Sequence, residues 1–143
     1  VSTPRLVVDA DIILDHLRGG DHPSVLRRVA ASIFCYTTVF QAVEVFAELR
    51  TPRERNAAMD AMSAMKILGL NPKNAARYAD LVVRHPRHRT VDLLTAGLCL
   101  DGGLPLLTGR TANFRNIDGL VVVSARRMRG ATAGEEILSH VQR

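Results

Sequence analysis

The apolar residues of this chain change their period repeatedly, and no other feature limits the possible folds as much. Leu6-Val7-Val8 is an unbroken apolar run closing at Asp9, which suits a strand buried on both faces. Residues 12–17 then take helical spacing, with Asp11 placed as the cap and Gly19-Gly20 as the stop. Residues 25–31 form a second helical piece, and residues 33–38, rich in β-branched and aromatic side chains, a second strand. Ala42, Val43, Val45, Phe46 and Leu49 recur at helical spacing over 40–49, and Pro52 opens a helix running through Met65. A third strand, 66–70, leads to Asn71-Pro72, a cap and first-turn proline for a helix that stops before Pro86. Residues 91–100 are helical, Gly102-Gly103 ends them, and 104–108 and 120–123 supply the last two strands. Thr132 and Glu135 have capping-box spacing for a final helix to Val141.

Strands that alternate with helices and lack in/out alternation predict a five-stranded parallel sheet covered on both faces, a three-layer α/β/α sandwich. No repeat or linker interrupts the 143 residues, so residues 1–143 read as one domain, long enough to hold a single core without disulfides. No apolar run approaches the roughly 18 residues of a membrane span, and no leader precedes Leu6, so a cytoplasmic protein is expected. Cys35 and Cys99 lie in apolar stretches without CxxC spacing and read as buried thiols in a reducing compartment. Ligands of open parallel sheets bind beyond the carboxyl ends of the strands, which directs attention to Asp9, Thr38 and Thr108.

Three acidic residues fall where such a sheet would gather them. Asp9 ends the first strand, Glu44 lies in the apolar helix after the second, and Asp92 opens the helix before the fourth. Asp9 and Asp92 also suit ordinary turn and helix-dipole roles. Glu44 does not: the residues three and four positions away, Phe40, Gln41, Ala47 and Glu48, include no cation. Two carboxylates about 4 Å apart repel by about 4 kcal/mol at an effective dielectric of 20, so a cluster of three requires positive charge or protons. A hard divalent ion, Mg²⁺ or Mn²⁺, meets that need with carboxylate and water ligands. On this reading Asp92→Asn leaves metal-free stability unchanged or higher.

The net charge is +5, and all nineteen basic residues except Lys66 and Lys73 are Arg. Arg forks around phosphate oxygens, which favours a polyanionic partner; biased base composition yields the same usage, and both readings stand. Arg84, Arg87 and Arg89 form a basic loop just ahead of Asp92, suited to an RNA backbone or to plain solvation. His85 and His88 lie in that loop without further ligands nearby. Arg126, Arg127 and Arg129 make a second basic cluster, without aromatic residues for base stacking.

With these residues in place, the chain resembles a PIN domain of the VapC toxin type. Residues 6–15, from Leu6 through Asp9 to Asp15, look like the family's first strand, first acid and following helix. The stretch from Thr37 through Glu44 to Ala47 looks like its second-strand exit and glutamate, and Val91-Asp92-Leu93-Leu94-Thr95-Ala96 like its third acid. Residues 103–108, with Phe114, Ile117 and Gly119-Leu120, resemble its closing section. The resemblance implies a PIN-like sandwich and a Mg²⁺- or Mn²⁺-dependent endoribonuclease, with Asp9, Glu44 and Asp92 as catalytic metal ligands. It further implies an RNA substrate, a small cognate antitoxin and a homodimer.

One departure accompanies the likeness. The family often places a fourth acid just after the fourth strand, and Arg110 stands about there. A cation at that point would bind substrate phosphate, weaken a second metal, or mark a degenerate site. Asp11, Thr108 and Asn113 are possible accessory residues, although Asp11 also suits an N-cap and Asn113 a turn. The alternatives are a non-cleaving PIN-like RNA-binding or interaction module and a haloacid-dehalogenase-like phosphatase. The latter generally wants a late lysine, and no lysine follows Lys73.

Overall fold

The computed structural model describes residues 4–19, 23–129 and 139. In chain order these form β1 (Arg5–Val8), α1 (Ala10–Leu17), α2 (Val25–Ala30), β2 (Phe34–Thr38), α3 (Val39–Glu48), α4 (Pro52–Ser63) and β3 (Lys66–Leu68). Then come α5 (Ala75–Arg84), α6 (Thr90–Gly102), β4 (Leu106–Thr108) and β5 (Val122–Ser124). Short 3-10 turns lie at Pro72–Asn74, Thr111–Phe114 and Arg127–Arg129. The five strands form one all-parallel sheet in the order β3-β2-β1-β4-β5.

The two faces of β1 show why its residues are apolar throughout. Leu6 and Val8 pack with Cys35, Leu107 and Val123 under α1 to α4, while Val7 packs with Leu106 on the opposite face under α5 and α6. Successive side chains of a strand point to opposite faces, so a strand covered on both sides needs an unbroken apolar run. Sheet order reverses direction at β1, which places its carboxyl end beside that of β4. Crevices at such reversals are where α/β sheets bind ligands.

Several boundaries differ from the sequence expectation. Asp9, not Asp11, caps α1: Asp9 has extended backbone, and its carboxylate accepts the Ala10 N–H at 2.8 Å. Asp11 stands inside the first turn. Asn71 caps a 3-10 turn before α5 rather than α5 itself. β5 begins two residues later than expected because Gly119, at φ +82°, and a Leu120 N–H to Ile117 carbonyl bond extend the preceding turn. The helix expected from Thr132 to Val141 lies outside the described residues, apart from Ser139. Among the described residues no helix is long and apolar enough to cross a membrane. Both cysteines are buried, which raises the thiol of Cys35 to about 11 and that of Cys99 to about 12.

Candidate active site

Asp9 is wholly buried at the carboxyl end of β1. A buried carboxylate needs partners for both oxygens, and Asp9 has them. One oxygen accepts the Ala10 N–H and the Gln41 amide at 3.4 Å; the other accepts the Thr108 hydroxyl at 2.7 Å. Gln41, also fully buried, donates to Thr95 at 2.9 Å and accepts from Thr38, which caps α3. These contacts tie β1, β4, α3 and α6 together around one carboxylate.

Asp92, in the first turn of α6, is 2% exposed at its side chain. Glu44, on α3, is half-buried at the rim. Two guanidinium groups bridge the three acids. Arg110 lies 3.0 Å from Asp9 and 3.4 Å from Asp92, and Arg89 lies 3.0 Å from Asp92 and 3.5 Å from Glu44. The distant segments therefore do converge. Here arginine supplies positive charge between them. Asp92 pairs with two guanidinium groups, an arrangement that argues for a stability cost when its charge is removed, against the expectation of unchanged or higher stability for Asp92→Asn.

Arg110 is contacted from several sides. Its backbone N–H bonds to the Thr108 hydroxyl at 2.9 Å, and its guanidinium lies 5.7 Å from the centroid of the Phe114 ring. Burial works against its charge, but Asp9, Asp92 and Glu44 outweigh that and raise its pKa above the ordinary value.

Negative charge nevertheless stays in excess. Asp11 completes a group of four acids facing two guanidinium groups. One Asp11 oxygen accepts the Gly109 N–H at 2.9 Å; the other is buried without a hydrogen-bond partner. Burial, then repulsion from Asp9, raises the Asp11 pKa. Burial also raises that of Glu44, opposed by Arg110 and reinforced by Asp9. An orphaned carboxylate oxygen, an all-oxygen donor set and surplus negative charge fit a hard divalent ion. As the side chains stand, no three acids among the described residues are grouped closely enough to hold one, and Arg110 occupies the space between Asp9 and Asp92.

The accessory residues separate clearly. Thr108 orients Asp9, whereas Asn113 belongs to the 3-10 turn, its N–H bonded to the Arg110 carbonyl at 3.0 Å. Asn113 also lines a cleft of about 260 Å³ with Arg87, His88, Arg89, Asp92 and Arg115. Of the basic loop, Arg84 and Arg87 are exposed, while Arg89 is committed to Asp92 and Glu44. His88 bonds through Nε2 to the Arg115 carbonyl at 2.7 Å, a structural role. Glu48 pairs with Arg18 on the surface. Arg127 lines a separate cleft with Thr111, Arg115 and Asp118. Gln41, Thr95 and Arg115 were not singled out by the sequence reading. A glutamine on the inward face of an otherwise apolar helix is the signal that would have found Gln41.

The PIN domain family model matches residues 6–120. Among solved structures, the chain is similar to VapBC2 from Rickettsia felis bound to a DNA fragment from its promoter, with a TM-score of 0.70 and 15% identity. That alignment covers 84% of this chain and 98% of the other. It is similar also to VapBC-1 from nontypeable Haemophilus influenzae, at TM-score 0.68 and 16% identity, covering 85% and 98%. FitAcB from Neisseria gonorrhoeae follows at 0.63 and 20% identity, covering 85% and 98%. No curated protein matches the chain by sequence. These similarities establish a common fold, and the family match sets aside the haloacid-dehalogenase-like alternative. With the family model covering most of its length, the chain belongs to the PIN domain family.

Proposed function

We propose that the protein is a Mg²⁺- or Mn²⁺-dependent endoribonuclease, the toxin of a toxin-antitoxin pair. The observation that carries this reading is that Asp9, Glu44 and Asp92, from three separate elements, are bridged by Arg89 and Arg110 at the carboxyl edge of the sheet. Asp9, Asp92 and Glu44 would hold the ion, with Asp11 at its margin. Such an ion supplies acidified water and neutralises charge on a scissile phosphate. The chain's own residues do the rest. Thr108 and Gln41 keep the Asp9 carboxylate oriented, Arg87 and Arg115 line the cleft toward RNA phosphates, and exposed Arg84 at the end of α5 adds a further cation. Such contacts position a strand without reading its sequence.

VapBC proteins form a family of toxin-antitoxin systems, and the likeness to VapBC structures supports a small antitoxin as partner. A cytoplasmic homodimer belongs to the same reading. Purified protein should cleave single-stranded RNA when Mg²⁺ or Mn²⁺ is supplied, and Asp9→Asn should abolish cleavage. Growth arrest on expression, relieved by the product of a short adjacent gene, would test the toxin role.

Arg110 favours a second reading, a PIN-like module that binds RNA or protein without cleaving. Retained RNA affinity with no cleavage in either metal would select it.

A further inference from the structure

Arg110 bridges the carboxylates of Asp9 and Asp92, and its own Coulomb partners extend to Glu44. A guanidinium in that position does two things a divalent ion would do: it lowers the repulsion among the acids and fills the space between them. Both cations cannot be there together, since their mutual repulsion in a partly buried pocket adds to the steric conflict. Arg110 is nevertheless not locked in. Its side chain is 28% exposed, so the guanidinium has a way out to solvent.

We propose that Arg110 is a built-in competitor for the cation position: the guanidinium and a divalent ion occupy the acid cluster alternately. In the metal-free state Arg110 keeps the carboxylates together, and metal binding must first displace it. The inference rests on the metal-dependent reading above and adds a specific consequence. Removing the arginine should strengthen metal binding while weakening the metal-free fold, because each ligand state is coupled to the other through the same acids.

The test is calorimetric titration of Mn²⁺ into the full chain, wild type against Arg110→Ala, with thermal melting of both in chelator and in Mn²⁺. Arg110→Ala should bind Mn²⁺ about tenfold or more tighter, melt lower in chelator, and gain more from Mn²⁺ than the wild type does. Arg110→Gln, which keeps an amide near Asp9 without the charge, should follow the same order and serves if the alanine variant does not fold. Equal or weaker Mn²⁺ binding by the folded variants would overturn the role given to Arg110 and leave the metal-dependent reading intact. No Mn²⁺ binding by any of the proteins would overturn both.

Discussion

Arg89 and Arg110 grip Asp92 from two directions, at 3.0 and 3.4 Å, and the carboxylate between them is almost entirely out of water. A buried charge in that situation depends on its partners, and its partners depend on it. Asp92→Asn keeps the shape but loses the charge, so metal-free stability should fall by about 1–3 kcal/mol, the range for a weakened hydrogen bond to a charged group. Chemical denaturation in the presence of chelator measures this. An unchanged midpoint would mean the two arginines are indifferent to Asp92. At this scale the sequence was informative about Asp9, Glu44 and Asp92, because apolar neighbours made their charge conspicuous. It was silent on their pairing. Arg89 stands three residues before Asp92 and reads in sequence as a phosphate contact, but its guanidinium pairs with Asp92 and, across from α3, with Glu44.

The helices carry their own couplings, and α2 illustrates one away from the site. Ser24 caps it, accepting the Arg27 N–H at 3.1 Å, and the same hydroxyl meets Nδ1 of His16 on α1 at 2.6 Å. Burial, then the Arg27 charge, lowers the His16 pKa from 6.5. The folded protein therefore resists a proton that the unfolded chain accepts. Stability from this contact is present above pH 6.5 and is lost as the pH falls through 6.5 to the lowered folded value. Melting temperature should drop more between pH 7 and pH 5 for the wild type than for His16→Gln, which still offers Ser24 a polar partner. Parallel slopes would remove the linkage. Element types were legible from period alone, since long helices such as α3 and α4 need only a consistent apolar face. Cap assignment was not. Asp9 and Asp11 are equally good capping residues in sequence, and the choice is made at the end of β4, where Thr108 meets Asp9 and the following Gly109 meets Asp11.

For the whole molecule, sheet order decides what the sequence left open. The position of β1 between β2 and β4 brings Asp9, Thr108 and Arg110 together across about a hundred residues of chain, a proximity that no local pattern contains. The same topology sets the basic loop after α5 beside the acid cluster, and a net charge of +5 draws polyanions toward it. Each phosphate contact on single-stranded RNA contributes a slope of roughly 0.7 in log affinity against log salt. Arg84→Ala and Arg87→Ala should therefore weaken RNA binding across sequences and each flatten the salt dependence by about that amount, as measured by fluorescence anisotropy. A salt slope unchanged in both would place the RNA elsewhere. Whether these acids hold a cation is read from Mn²⁺ binding. Titrated calorimetrically, the wild type should bind at this cluster, and Asp9→Asn, Glu44→Gln and Asp92→Asn should each lose about tenfold or more in affinity. Undiminished binding in all three folded variants would mean that the ion binds elsewhere and that these acids are not its ligands.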